Sequence, residues 1–263
     1  MKIQDSVVIV TGGAQGIGKA IASYLLKHNA KVCIADVDDV QGKETVREFA
    51  ESYGDCVIFQ QCDITKDDDF RTSLKITKDA FGDVTIVVNN AGILDETNIS
   101  GTIAINLEAQ IRCTMIALEF MGRNNGGKGG TIVFNASDLS IKPLGTLPVY
   151  AAAKHGVVGF VRSMALSPQI NDWGVRFNAV CPTMVETQMT SDDNLRRGVT
   201  DPIAKDQLMK YKAQHLQAST ILQPSDVVEA VVKLVEDDTL NGASLLVLKN
   251  KTFFVDPPVL DLS

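Results

Sequence analysis

The sequence predicts a doubly wound α/β fold, in which about seven parallel strands form one sheet with helices on both faces. Short apolar runs rich in β-branched residues alternate along the chain with longer segments of helical periodicity. Continuously apolar strands are typical of a parallel sheet that is buried on both faces, and intervening helices of about 10–15 residues are typical of βαβ units. The predicted strands comprise residues 7–10, 31–35, 57–59, 85–88, 130–134, 174–180 and 243–248. The predicted helices comprise residues 17–27, 40–53, 70–81, 103–121, 149–166 and 225–236.

The composition is that of an average globular protein of 263 residues, with 45% hydrophobic and 22% charged residues. We expect a single domain over residues 1–263, because no linker, repeat or low-complexity tract divides the chain. The formal charge of −7 argues against a nucleic-acid partner, since such binding requires a basic surface. No apolar run reaches the ~18 residues of a membrane span, and the first six residues are polar. We therefore expect a cytoplasmic protein with neither a membrane anchor nor a secretory signal.

The three histidines and five cysteines follow no metal-binding pattern. The cysteines are scattered, odd in number and without Cys-x-x-Cys spacing. This pattern is typical of reduced intracellular thiols and not of a zinc site or a disulfide framework. We predict no bound metal.

One segment, residues 191–222, interrupts the alternation. It is polar at first and weakly amphipathic over residues 203–216. A long insertion in a tight α/β chain is more often a lid or substrate loop than a surface excursion without function. The C-terminal tail, residues 250–263, contains two phenylalanines and two prolines, and the sequence leaves open whether it covers a partner or a pocket.

A glycine-rich loop, residues 11–18, joins the first predicted strand to the first predicted helix. Glycines in this position permit a tight turn and let backbone N–H groups approach a diphosphate, which the positive end of the helix stabilises. An ordinary tight turn is the alternative, but the position after the first buried strand favours a nucleotide site. The predicted nucleotide contacts in this loop are Gly12, Gln15, Gly16, Ile17 and Gly18.

Asp36 ends the second predicted strand and bears on the choice between NAD and NADP. A carboxylate in this position accepts hydrogen bonds from the ribose hydroxyls and repels a 2′-phosphate. Neither Val37, which also belongs to the predicted site, nor the glycine loop provides a cation for such a phosphate. The sequence therefore predicts NAD, with a solvated aspartate as the alternative interpretation.

Polar residues also follow the third and fourth predicted strands. Asp63 could contact the adenine edge or cap the next segment, and paired asparagines at 89–90 could bridge strands to the ligand or form a plain turn. The predicted contacts from these two segments are Cys62, Asp63, Ile64, Asn90, Ala91 and Gly92.

Tyr150 and Lys154 lie four residues apart on a predicted helix, so both project from the same face. The pair begins the helix after the fifth predicted strand, at the carboxyl edge that also carries the glycine loop. An ammonium group beside a phenol favours the phenolate and lowers the phenol pKa. Tyr150 could therefore act as a general base. A chance Tyr-x-x-x-Lys match is the alternative.

Ser137 and Asn106 complete the candidate catalytic set. Ser137 ends the fifth predicted strand, where its hydroxyl could hold a substrate oxygen or cap a turn. Asn106 lies inside the predicted helix 103–121. Asparagine is unfavourable there, which indicates a polar task.

Together these motifs resemble the short-chain dehydrogenase/reductase family, whose members have a Rossmann-type fold. Within it, the sequence is most similar to NAD-dependent 15-hydroxyprostaglandin dehydrogenases and insect-type alcohol dehydrogenases. The resemblance covers the chain to about residue 248. It rests on the glycine loop, Asp63, residues 89–92, Asn106, Ser137, Tyr150, Lys154 and residues 178–182.

The resemblance implies a role for each catalytic candidate. Tyr150 is the general acid/base, and Lys154 lowers its pKa and binds the nicotinamide ribose. Ser137 steadies the substrate oxygen, and Asn106 anchors a water in a proton relay to Lys154. Further cofactor contacts are implied for Pro182, Val185, Glu186 and Thr187.

Two positions depart from the family pattern. Thr183 stands where the family has glycine after Pro182, which puts the course of the following loop in doubt. Leu147 replaces a glutamine that helps bind the substrate hydroxyl in prostaglandin dehydrogenases. We therefore expect a more apolar pocket, with Leu147 and Met184 among its substrate contacts.

The sequence thus predicts an NAD-dependent alcohol dehydrogenase for a secondary alcohol or ketone on a lipid-like small molecule. A hydroxy fatty acid, an eicosanoid, a terpenoid alcohol or a hydroxylactone would fit. Two alternatives stay open: an NAD-dependent epimerase, and a non-catalytic NAD-binding protein. The helix 149–166 is apolar nearly all round and rich in small residues, which predicts a homodimer or homotetramer formed through it.

Overall fold

A sheet of eight strands forms the centre of the computed structural model, which describes residues 1–257. The strand order is β3-β2-β1-β4-β5-β6-β7-β8, in which β1 to β7 are parallel and β8 is antiparallel to β7. This order confirms the predicted doubly wound fold. The strands are β1 (Val7–Thr11), β2 (Lys31–Asp36), β3 (Val57–Gln61), β4 (Ile86–Asn89), β5 (Gly130–Asn135), β6 (Val175–Pro182), β7 (Ser244–Leu248) and β8 (Lys251–Phe254).

Helices cover both faces of the sheet. In β1, Val7 and Ile9 pack in the layer that contains α3, α5 and α6, whereas Val8 and Val10 pack in the layer with α1, α2 and α10. Alternate side chains of a strand point to opposite faces, so a run of four apolar residues is buried on both sides. The helices are α1 (Gly16–Lys27), α2 (Asp39–Tyr53), α3 (Asp67–Phe81), α4 (Ile99–Ile103), α5 (Ala109–Met121), α6 (Pro148–Ala165), α7 (Ile170–Trp173), α8 (Asp192–Gly198), α9 (Pro202–Gln217) and α10 (Pro224–Glu236).

The eighth strand lies in the predicted tail, and the sequence did not indicate it. All four of its residues are exposed, so this strand lacks the buried apolar run that predicted the other seven strands. Asn250 makes the reversal between β7 and β8 at φ 67°, a conformation that asparagine tolerates better than most residues. The first part of the tail therefore extends the sheet edge, and residues 258–263 lie outside the described residues.

The helix predicted over 103–121 begins earlier and is not regular. It consists of α4, a π-helical turn over Ala104–Glu108, and α5. Asn106 lies inside the π-helical turn and is fully buried. Such turns frequently occur at functional sites.

The insertion over residues 191–222 folds into α8 and α9. The side chains of Ser191 and Asp201 cap these helices by accepting hydrogen bonds from Asn194 N and Ala204 N. Leu195 and Leu208 from the two helices are buried in a cluster with Leu147 and Tyr150. The insertion thus packs over the carboxyl edge of the sheet. No helix within residues 1–257 is long and apolar enough to cross a membrane.

Candidate active site

A cavity of about 850 Å³ lies along the carboxyl ends of the parallel strands. Open α/β sheets bind their ligands at this edge. The glycine loop forms one end of the cavity, and α8 and α9 close the other. The predicted site residues that line it are Gly12, Gln15, Gly16, Ile17, Asp36, Val37, Cys62, Asp63, Ile64, Asn90, Ala91, Gly92, Ser137, Leu147, Tyr150, Lys154, Pro182, Met184, Val185 and Thr187.

The glycine loop reaches the cavity as backbone. Gly12 and Gly16 adopt φ +61° and +57°, where glycine is favoured over other residues. Gly18 does not line the cavity, but a Cβ there would lie 2.2 Å from Gly12 O and 2.6 Å from Asn90 Nδ2. It therefore permits α1 to approach the loop. The N-cap residue Gln15 makes no side-chain cap, and the first turn of α1 holds no acidic residue.

Asp36 connects the loop to the end of β2. Its Oδ2 accepts a hydrogen bond from Ala14 N at 3.0 Å, and its Oδ1 accepts one from Asp38 N at 3.1 Å. The carboxylate lines the cavity as well. The basic residues in the described lining, Lys154 and Arg197, belong to α6 and α8 and not to this end. An open helix N-terminus with a carboxylate beside it suits a dinucleotide without a 2′-phosphate.

The Tyr150–Lys154 pair lies on the cavity side of α6. Both side chains are buried, and Lys154 Nζ lies 5.7 Å from the centroid of the Tyr150 ring. Lys154 donates a hydrogen bond to the carbonyl oxygen of Asn135 at 2.7 Å, which fixes the ammonium between the ring and β5. Burial lowers the pKa of Lys154 to about 8.

The pKa of Tyr150 departs from the expectation that the resemblance implied. Burial raises it above its ordinary value, the carboxylate of Asp138 raises it further, and a hydrogen bond with Ser137 lowers it. Burial and the Asp138 charge therefore set the direction of the shift, and Lys154 contributes no depression to it. Phenolate formation at Tyr150 requires added positive charge or relief of the charge on Asp138.

Ser137 caps a turn, which is one of the two interpretations that the sequence left open, and its contact with a substrate oxygen stays a prediction. Its Oγ accepts a hydrogen bond from Leu139 N at 3.1 Å and thereby caps the 3₁₀ turn that follows β5. The hydroxyl also donates to Asp138 Oδ1 at 3.1 Å, and the residue lines the cavity. The turn holds the hydroxyl beside Tyr150.

Asn106 lies behind the cavity wall and does not line it. Its Oδ1 accepts a hydrogen bond from Ile93 N at 2.8 Å, and its Nδ2 donates to Ile93 O at 2.7 Å. A Cβ on Gly92 would lie 2.9 Å from Asn106 Oδ1 and 3.7 Å from Lys154 Nζ. The buried amide therefore holds the loop that passes closest to Lys154.

Two asparagines connect the ends of the site, one of which the sequence analysis missed. Asn90 Nδ2 donates to Thr11 O and Gly12 O, each at 2.9 Å, and Asn90 Oδ1 accepts from Asn135 Nδ2 at 2.9 Å. Because the carbonyl of Asn135 holds Lys154, this chain of amides joins the glycine loop to the ammonium. Asn135 gave no sequence signal beyond its position at the end of a predicted strand.

Glu96 is a second residue that the sequence analysis missed. Its carboxylate accepts hydrogen bonds from Val149 N and Tyr150 N, each at 2.9 Å. The N-cap residue of α6 is Leu147, which cannot cap, so Glu96 satisfies these N–H groups from a distant loop. Its own N–H donates to Gly198 O at 2.8 Å. Glu96 thus connects the Tyr150 helix to α8.

A sequence model described as short chain dehydrogenase matches residues 6–198. The 15-hydroxyprostaglandin dehydrogenase (NAD+) of Mus musculus is 36% identical over 255 residues, which cover 95% of this chain and 93% of that protein. The chain belongs to the short-chain dehydrogenase family. This result confirms the family that the motifs indicated.

Two further proteins are similar to this chain over most of its length. The mitochondrial borneol dehydrogenase of Lavandula x intermedia is 28% identical over 256 residues, covering 94% of this chain and 90% of that protein. The crystal structure of levodione reductase superposes with a TM-score of 0.78 at 26% identity, covering 93% of this chain and 95% of that chain.

Thr183 stands where the short-chain dehydrogenase pattern has glycine, and the backbone at this position does not require glycine. Thr183 N donates to Val247 O at 3.1 Å, and its Oγ1 donates to the same oxygen at 3.3 Å. Thr183 is not among the residues with positive φ. The loop after β6 therefore begins as a continuation of strand pairing. Glu186, which the family resemblance had placed beside the nicotinamide, is exposed, does not line the cavity and accepts a hydrogen bond from Gln223 Nε2 at 2.6 Å.

The reactive end of the cavity is predominantly apolar. Leu147 is 4% exposed and lies in one cluster with Leu139, Leu195 and Leu208. Polar groups reach this end from Ser137, Asp138, Tyr150 and Tyr211, and from Asn194 and Arg197 on α8. A ligand here meets a leucine-lined wall with a few polar contacts close to Tyr150.

Proposed function

We propose that this short-chain dehydrogenase is an NAD-dependent enzyme that interconverts a secondary alcohol and a ketone, with Tyr150 as the general acid/base. The observation that carries the proposal is one cavity that joins a dinucleotide-type loop to Ser137, Tyr150 and Lys154. The murine relative is named as a hydroxyprostaglandin dehydrogenase that uses NAD+, and the lavender relative as a borneol dehydrogenase. Both names support oxidation of an alcohol.

The residues of the chain fit NAD at the glycine loop and Asp36, and the cofactor supplies the hydride acceptor when it is bound. The open N-terminus of α1 would hold the diphosphate, and the Asp36 carboxylate would accept hydrogen bonds from the adenosine ribose. The loop residues that line the cavity beyond β6, Val185 and Thr187, would contact the nicotinamide end.

The catalytic step uses three side chains of this protein. The substrate hydroxyl lies against Ser137 and Tyr150, and the phenolate of Tyr150 accepts its proton as the carbinol carbon loses hydride. The Lys154 ammonium, held by Asn135 O, stabilises the phenolate. In the reverse direction Tyr150 donates its proton to the carbonyl oxygen. Asn106 positions the backbone beside Lys154, and the water relay implied by the family stays a prediction.

We propose a lipid-like substrate and a lid function for residues 191–222. The leucines around Tyr150 favour an apolar chain or ring, as in a hydroxy fatty acid, an eicosanoid, a terpenoid alcohol or a hydroxylactone. Both α8 and α9 contribute cavity residues, so their displacement would open the reactive end to solvent.

The direct test is NADH formation across a series of secondary alcohols of increasing chain length. We expect kcat/KM to rise with apolar length, because each buried methylene contributes about 0.8 kcal/mol. Chirality of recovered alcohol is measured in the same reactions. Inverted alcohol without net NADH formation would indicate an epimerase, and bound NAD with no turnover of any alcohol or ketone would contradict the function.

We also propose that the protein forms a homodimer or homotetramer through α6. Its exposed residues Ala152, His155, Gly159 and Ser163 are mostly small and follow one helical stripe, which permits close approach of a second helix. Sedimentation at micromolar concentration should give at least twice the mass of one chain. A single-chain mass would contradict this assembly.

A further inference from the structure

A carboxylate lies in the wall of the reactive end, directly after Ser137. Asp138 lines the cavity and is half-buried. Its Oδ1 accepts a hydrogen bond from the Ser137 hydroxyl at 3.1 Å. Because the proposed proton transfer at Tyr150 takes place beside this same hydroxyl, Asp138 lies one hydrogen bond from Ser137 and two from the reacting oxygen.

Asp138 has unused hydrogen-bonding capacity. A carboxylate has about four acceptor positions. Within residues 1–257 the Asp138 carboxylate accepts one hydrogen bond, from the Ser137 hydroxyl, and no lysine, arginine or histidine forms a salt bridge with it. Because the carboxylate faces the cavity, its free acceptor positions are available to a donor on a ligand.

The charged and titratable groups around Asp138 oppose one another. Burial raises the pKa of Asp138, whereas the hydrogen bond from Ser137 and the neighbouring His215 and Lys142 side chains lower it. Its negative charge in turn raises the pKa of Tyr150 and of Tyr211 on α9. The carboxylate therefore works against the phenolate that alcohol oxidation needs. A donor that engages the carboxylate would reduce this opposition.

Building on the proposed function, we infer that Asp138 determines specificity by accepting a hydrogen bond from a second hydroxyl of the substrate, one or two carbons from the reacting carbinol. The preferred substrate is thus a diol whose remaining part is apolar. One carbinol loses its hydride to the cofactor and its proton to Tyr150, and the product is a hydroxyketone in which the second hydroxyl is unchanged. A hydroxyl fits better than an ammonium group, because the leucines of this end make the burial of a charged ligand group more costly than the burial of a hydroxyl.

The test compares matched substrates on the wild-type enzyme and on Asp138→Leu and Asp138→Asn. The substrates are 2-octanol, 2,3-octanediol and 3-amino-2-octanol. For the wild type we expect kcat/KM for the diol to exceed that for the mono-alcohol by about tenfold or more, as a hydrogen bond to a charged group allows. Asp138→Leu should abolish this preference. Asp193→Asn, an exposed carboxylate on α8 outside the cavity lining, should keep it.

The pH profile provides a second readout that packing alone would not move. With 2-octanol, Asp138→Asn should shift the acid limb of kcat/KM to lower pH, because loss of the negative charge eases deprotonation of Tyr150.

NADH binding and the melting temperature confirm that each variant is folded. A wild type that oxidises mono-alcohols without preferring the diol would overturn the inference and leave the proposed function standing. A diol preference that survives Asp138→Leu, or an amino alcohol preferred over the diol, would also overturn it. Failure to turn over any alcohol would overturn both.

Discussion

The two ends of the cavity are built in different ways. The nucleotide end is formed largely by the backbone of one contiguous loop, by Asp36 and by the N-terminus of α1. The reactive end is assembled from side chains on β5, α6 and α9 and on the loop after β4, with Glu96 and Tyr150 separated by 54 residues. Cofactor binding here therefore depends on local chain geometry. The position of the acid/base Tyr150 depends instead on contacts with distant parts of the chain that hold α6 in place.

Asp36→Ala should give the largest effect that is confined to one end of the cavity. Loss of the carboxylate removes the acceptor for the ribose and the repulsion of a 2′-phosphate. We expect the ratio of NADPH to NADH dissociation constants to fall by about tenfold or more, with kcat for the best alcohol changed less. Fluorescence titration measures both constants, and Asp39→Asn, a partly exposed carboxylate on α2 outside the cavity lining, is the control. An unchanged ratio would contradict the NAD assignment.

Glu96→Ala should damage the reactive end alone. Loss of a helix cap costs about 1 kcal/mol, and the melting temperature should fall by roughly 2–4 °C. Because the cap holds Tyr150 N, kcat should fall by about tenfold while the NADH dissociation constant stays within about twofold. Glu51→Ala, an exposed glutamate on α2, controls for the charge. Equal losses in NADH affinity and kcat would show that the two ends are not separate.

Lys154 should give the smallest effect, visible as a pH dependence of stability. Burial lowers its pKa to about 8 in the folded chain, below the value of about 10.4 expected for the unfolded chain. Between these pH values the unfolded chain binds a proton that the folded chain has released, so this group makes stability rise with pH. The melting temperature of the wild type relative to Lys154→Met should therefore increase by a few degrees from about pH 8 to pH 10. A decrease would contradict the direction of the shift.

The same contrast explains how much the sequence could predict. The parallel strands, the glycine loop and the Tyr150–Lys154 pair are local patterns, and the family, the fold and seven of the strands followed from them. Glu96, Asn135 and Asp138 carry no local signal, because their partners are set by tertiary packing. The direction of the Tyr150 pKa shift also depends on burial and on Asp138, and the spacing of Tyr150 and Lys154 reveals neither. The eighth strand was missed because its residues are exposed.

If both ends of the cavity serve one proton transfer at Tyr150, the decisive variant is Tyr150→Phe. The measurement pairs kcat for oxidation of the best alcohol with the dissociation constant of NADH, and Tyr24→Phe, far from the cavity, is the control. We predict that kcat falls by about 100- to 10,000-fold, the range of general acid–base catalysis, while NADH affinity stays within about twofold. Retained turnover in a variant that still binds NADH would contradict the account.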